Sequence, residues 1–247
     1  LSIVSVMKDD EAGLLETFRS VELQSFSDYE FLIVTPNSQD YRCGEFCNSL
    51  SSAKVFEDAG VGIYEAMNVG LFHAQGEYII FLNAGDVLVD SRQALERAID
   101  EIRRRGLLWL AFSYRIREST ETKTYIKAGA LQMVFLALGL RRVMHQALVM
   151  RTDWLRRLGG FDTTYEIAGD FELILRARLE QPLTFSPHLL SEFRTGGVSS
   201  RNPDRVLAEM ARAQRDNLPM SIGWRSGLAL WRIAWQFRLV LSRYRHS

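Results

Sequence analysis

The chain of 247 residues is 47% hydrophobic and 24% charged, a composition that supports a sizeable core and excludes an intrinsically disordered protein. Its 30 Lys and Arg balance its 30 Asp and Glu, so no global charge draws it to nucleic acid or an acidic surface. The length suits one α/β core with an appended extension.

In chain order, residues 1–6 are an apolar run without a basic leader or small-residue cleavage site, which predicts a strand, not a secretion signal, and a cytosolic protein. Leu14, Leu15, Phe18 and Val21 recur at helical spacing, and 31–34 is another run too short for a buried helix. Cys43 and Cys47 sit four apart with no second Cys or His pair nearby, so they are expected to be reduced thiols and not zinc ligands. A strand is predicted over 53–56, a helix over 63–74 closed by Gly76, and a strand over 78–82. Four strands joined by crossovers imply an α/β, Rossmann-like, mostly parallel sheet with helices on both faces. After a helix near 91–105 the pattern changes. Runs 107–114 and 122–126 predict a hairpin, and apolar stretches follow over 131–140 and 147–150. A short helix then ends at Gly159-Gly160, and a well-patterned helix over 170–180 stops before Pro182.

Ligands of such sheets bind beyond the carboxyl ends of the strands, which selects residues 7–10, 35–40, 57–62 and 83–86. None carries a dinucleotide fingerprint, a Walker lysine or a glycine-rich phosphate loop, which argues against hydride transfer, P-loop chemistry and nucleotidyl transfer. Asn83-Ala84-Gly85-Asp86 places a carboxylate at the ligand edge, where one aspartate suffices for a hard cation whose other ligands are phosphates. The same four residues also make an ordinary turn. Asp170 stands at a helix start, where a carboxylate serves equally well as a cap or as a general base.

Taken in order, further segments join these two: Gly62-Ile63-Tyr64-Glu65-Ala66-Met67-Asn68-Val69-Gly70, Gly76-Glu77-Tyr78, His145-Gln146-Ala147, Leu158-Gly159-Gly160-Phe161-Asp162, Ala168-Gly169-Asp170-Phe171-Glu172-Leu173 and Phe193-Arg194-Thr195-Gly196-Gly197. The series resembles the inverting, nucleotide-sugar-dependent glycosyltransferases of family 2 with the GT-A fold, particularly the bacterial exopolysaccharide and colanic-acid type. The resemblance runs to about residue 200 and implies a nucleotide-sugar-binding half over 1–106 and an acceptor and catalytic-base half over 107–200. It implies that Asp86 binds Mg²⁺ or Mn²⁺, that Asn83, Asn68 and His145 lie at the donor, and that Asp170 is the base. It puts Gln146, Arg194, Gly196 and Gly197 on the acceptor side or on a loop closing over the donor. Two positions depart from the pattern: where the family usually carries uridine-proximal aspartates, at the donor end of the second strand and before the Gly-Ile-Tyr motif, this chain has Thr35 and Gly60. Asp58 and Asp40 are near enough in sequence to compensate. Those departures favour, as the alternative, a non-catalytic sugar-nucleotide or glycan-binding protein on the same fold.

The extension over 201–247 is expected to be helical. Within 221–247, Trp224, Leu228, Trp231 and Trp235 recur at helical spacing opposite Arg225, Arg232 and Arg243, and no acidic residue occurs. That pattern predicts an interfacial helix against an anionic leaflet and not a membrane span. Together with the resemblance, it implies a peripheral enzyme at the inner face of the cell membrane acting on a lipid-linked glycan in surface polysaccharide synthesis.

Overall fold

The apolar runs become strands. The computed structural model describes residues 1–36, 50, 52–89, 91–117, 122–125, 143–194 and 202–218. In it, β1 (Ser2–Val6), β2 (Glu30–Thr35), β3 (Ala53–Glu57) and β4 (Tyr78–Phe81) pair in parallel in the order β3-β2-β1-β4. Of these, β1, β2 and β4 are buried on both sides and the edge strand β3 is partly exposed. The side chains of the sheet divide with a period of two. Ile3, Phe31, Ile33 and Ile80 face one core, with α1 (Glu11–Glu22) and α3 (Ala94–Arg104) over it. Val4, Leu32, Val34, Ile79 and Phe81 face the other, covered by α2 (Ile63–His73). Because both faces are apolar there, β2 and β4 read as continuous hydrophobic runs instead of alternating ones. At Gly70 of α2, a Cβ would lie 2.3 Å from Val4 Cγ1, so a larger residue there would push the helix off β1.

The sheet continues beyond β4 in mixed orientation through β5 (Val87–Leu88), β6 (Trp109–Arg117), β7 (Thr122–Tyr125), β8 (Leu148–Arg151) and β9 (Thr184–Arg194), with the order β4-β8-β6-β9-β5. β7 pairs antiparallel with β6, as the hairpin pattern predicts. β8 runs antiparallel to both of its neighbours. β9 is the element that periodicity does not reveal: Pro187 lies inside it, and the register against β6 shifts where Ala111 opposes Phe185 but Ser113 opposes Leu189. The remaining helices are α4 (Thr152–Arg157), α5 (Gly169–Ala177) and α6 (Pro203–Asn217). α5 ends short of the predicted 180, and α6, which opens on Pro203, packs along it through Val206, Met210 and Ala213. No helix among the described residues is long and apolar enough to cross a membrane. Cys43, Cys47, Asp40, Gly196, Gly197 and the stretches 131–140 and 221–247 lie outside the described residues, as does the side chain of Arg194.

Candidate active site

The turn after β4 holds its shape largely through its own atoms. The Asp86 amide donates to the Asn83 carbonyl at 2.9 Å, and the Asn83 amide donates to Asp86 Oδ2 at 3.1 Å. Gly85 occupies the left-handed region at φ +88, which favours glycine. From α1, the buried Thr17 hydroxyl accepts from the Gly85 amide at 3.1 Å and reaches the Asn83 carbonyl at 3.2 Å. Thr17 had no motif to mark it; its register on α1, one turn after Gly13, is what aims it at the turn.

Asp86 is only 7% exposed, and burial pushes its pKa up to about 6, with His145, a Gln146 hydrogen bond and the Asn83 amide opposing that rise. His145 and Gln146 sit on a single 3-10 turn, His145–Ala147, that leads into β8. Asn83 Nδ2 lies 2.9 Å from His145 Nε2. With the Asn83 amide in this orientation its nitrogen donates and Nε2 accepts, while Nδ1 is buried without a hydrogen-bond partner. That nitrogen faces Asp170 Oδ2 at 3.6 Å. A polar series thus runs from Asp86 through the 3-10 turn to Asp170, joining two residues far apart in sequence.

Asp170 lies in the first turn of α5, with a side chain 17% exposed, and its Oδ1 accepts from the Phe171 amide at 2.8 Å. It is not the N-cap, which is Ala168 and has no side-chain cap. The segment before α5 is held from elsewhere. The Tyr64 hydroxyl donates to the Ile167 carbonyl at 2.7 Å, and burial, then the Asp170 charge, keeps that phenol protonated far above its ordinary range. Tyr64 therefore has a concrete task within the Gly-Ile-Tyr motif.

Asn68 lies one turn further along α2. Its Nδ2 donates to the Phe161 carbonyl at 2.8 Å and its Oδ1 accepts from the Phe161 amide at 2.9 Å, so its amide is engaged at both ends by the backbone of one residue. Thr35 sits at the carboxyl end of β2, completely buried. Beside it, the Asp58 amide donates to the Thr35 carbonyl at 3.4 Å. Asp58 Oδ1 is buried without a hydrogen-bond partner, and burial raises that carboxyl above its ordinary value despite nearby Lys8.

Among the described residues, no group of three or more His, Cys, Asp or Glu side chains forms a ready cation cage. The site instead offers the buried Asp86 carboxylate and Asn83 Oδ1, a buried amide oxygen without a partner. Two hard oxygens suit Mg²⁺ or Mn²⁺ when phosphate and water complete the shell.

The profile of Glycosyl transferase family 2 matches residues 2–159. An uncharacterized glycosyltransferase of Mycobacterium tuberculosis is 30% identical over 222 residues, covering 86% of this chain and 82% of the relative. A PGL/p-HBAD biosynthesis glycosyltransferase of Mycobacterium bovis is 27% identical over 161 residues, 64% of this chain and 61% of that one. In fold, the chain is similar to S. aureus TarS 1-349 in complex with UDP-GlcNAc, with TM-score 0.67 at 16% identity over 92% of this chain and 69% of that one. It is also similar to the mannosyltransferase PcManGT of Pyrobaculum calidifontis in complex with GDP-Man and Mn²⁺, with TM-score 0.66 at 14% identity over 92% and 67%.

Proposed function

The chain belongs to glycosyl transferase family 2 and is a glycosyltransferase of GT-A fold, and from that premise we propose that it transfers a sugar from a nucleoside diphosphate donor with inversion, using Asp170 as base. The observation that carries this reading is the polar series Asp86, His145, Asp170, in which His145 Nδ1 stands 3.6 Å from Asp170 Oδ2. A carboxylate aligned in this way can take the proton of an acceptor hydroxyl as that oxygen bonds to the anomeric carbon, while the bond from that carbon to the diphosphate breaks on the opposite face. His145, held on its Nε2 side by Asn83, is the neighbour proposed to orient Asp170 for this step. Asp86 and Asn83 Oδ1 are the atoms to hold a divalent cation, which when bound would neutralise charge on the leaving diphosphate.

Thr35 and, beside it at the donor edge, Asp58 with its unpartnered oxygen are proposed to contact the donor. Asn68 is proposed to act by supporting the Gly159-Gly160-Phe161 bend. Gln146, buried against Asp86, and Arg194 are proposed for the acceptor side. The acceptor is proposed to be a lipid-linked glycan at the inner membrane face in surface polysaccharide synthesis, supported by the tryptophan and arginine pattern of 221–247.

A thermal-shift titration with UDP-GlcNAc and GDP-mannose, with and without Mn²⁺, tests the donor and cation parts. A cation-dependent stabilisation is expected with at least one nucleotide sugar, and no response to either, with or without metal, would count against the donor site. The anomeric configuration of the product by NMR tests inversion, and retained configuration would remove Asp170 as sole base. Donor binding without turnover over a panel of glycan acceptors would establish the binding-protein alternative.

A further inference from the structure

The segment that presents Asp170 is gripped by a carboxylate from outside its own helix. Glu209 stands in the middle of α6, in a side chain 13% exposed, and its Oε2 accepts from the Ile167 and Ala168 amides at 2.9 Å each. Its Oε1 accepts from the Glu166 amide at 3.2 Å. They belong to Ala168, the N-cap residue of α5, which has no side-chain cap of its own, and to the two residues before it, the segment that leads into the helix. A helix start leaves unpaired amides and a partial positive charge, and a carboxylate placed there answers both. Burial alone would raise the Glu209 carboxyl, yet these three amides together with Arg205 hold it below the ordinary range, so the grip is made by the ionised form. Arg205 pairs with Glu209 at 3.4 Å and also with Glu166, closing the outer side.

The same segment is fixed on its opposite side by α2. Tyr64 donates to the Ile167 carbonyl, and at Gly169 a Cβ would lie 2.7 Å from the Tyr64 ring, so the chain runs flat against that ring one residue before Asp170. With its amides bound by Glu209 and its carbonyl by Tyr64, the peptide around Ile167 has little freedom to rotate, and Asp170 follows it at a distance of three residues.

We infer that Glu209 is a positioning residue for Asp170, acting from the neighbouring helix α6 as a clamp on the segment that leads into α5. This rests on the proposed role of Asp170 as base, so the test reads placement separately from turnover. Glu209→Ala removes the grip. Glu209→Asp keeps the charge one methylene short, and is the second variant should the first fail to fold.

Placement is read by carbodiimide labelling of Asp170 with glycine ethyl ester and by amide exchange of the peptide spanning 166–171, neither of which needs a donor. Both rates are expected to rise about 10-fold or more in Glu209→Ala while peptides of β1 and β4 stay at wild-type rates, with Glu209→Asp falling between. Turnover is read as release of nucleoside diphosphate from UDP-GlcNAc or GDP-mannose with Mn²⁺. There kcat is expected to fall about 10- to 100-fold with the donor KM within about 2-fold, since a misplaced base costs rate rather than binding. Wild-type labelling and exchange in both Glu209 variants would overturn the inference. So would a loosened segment with unchanged kcat, provided that Asp170→Asn is inactive. Wild-type turnover in Asp170→Asn would instead defeat the reading of the base, leaving the labelling result to report on the clamp alone.

Discussion

The two aspartates of the site are fixed in opposite ways. Asp86 is held by two hydrogen bonds that close within four residues, supported from outside by the Thr17 hydroxyl at Gly85, the Val6 carbonyl at Ala84 and a Gln146 hydrogen bond. Asp170 is held through its backbone by side chains remote in sequence, with Tyr64 bonded to Ile167 across 103 positions and Glu209 to Ala168 across 41. Local bonds make a motif, whereas remote bonds make a placement. A short, self-bonded turn can keep its geometry in many contexts. A helix start gripped from two other helices keeps its geometry only if those helices stay packed.

The comparison breaks most visibly at Asp170. Asp170→Asn is expected to lower kcat by about 10²-fold or more with donor affinity retained, because the amide cannot take a proton. Isothermal titration with the preferred nucleotide sugar, alongside nucleoside diphosphate release, separates the two quantities.

At Asp86 the expected effect has two signs. Burial holds its pKa up at about 6 against an ordinary 3.8, so the folded state keeps the proton to higher pH than the unfolded state does. The resulting cost to stability is absent below 3.8, grows as pH rises, and is complete above about 6. Asp86→Asn should therefore raise stability at neutral pH by up to about 3 kcal/mol, and the gain should vanish at pH 4. The same variant should lose the Mn²⁺-dependent stabilisation by donor. Chemical denaturation across that pH range, with and without Mn²⁺, reads both effects.

Smaller changes sharpen the contrast. Thr17→Val leaves the half-buried Gly85 amide without its acceptor, a loss of about 1 kcal/mol that should weaken cation-dependent donor binding and leave exchange of the 166–171 peptide unchanged. Tyr64→Phe removes one hydrogen bond, about 1 kcal/mol, and should do the reverse, loosening that peptide and lowering kcat while donor binding holds. If each variant disturbed both regions equally, the two aspartates would belong to one cooperative unit and the division between local and remote support would fall.

What the sequence determines by itself is whatever depends on neighbours along the chain. Three of the four parallel strands are written as apolar runs because both faces of the sheet are covered there, and the turn at 83–86 is written as Asn, Ala, Gly and Asp because two of its hydrogen bonds close within it. The ordered motifs around Asp170 mark that residue without saying what holds it. Other features take their meaning only from the fold. β9 is interrupted by Pro187 and gains strand geometry from β6, so periodicity passes over it. Thr17, Tyr64 and Glu209 are ordinary helix residues until packing turns one at Gly85, one at Ile167 and one at the start of α5. A hydrogen bond is satisfied by distance and angle in space, and the chain records only those partners that its local geometry already brings within reach.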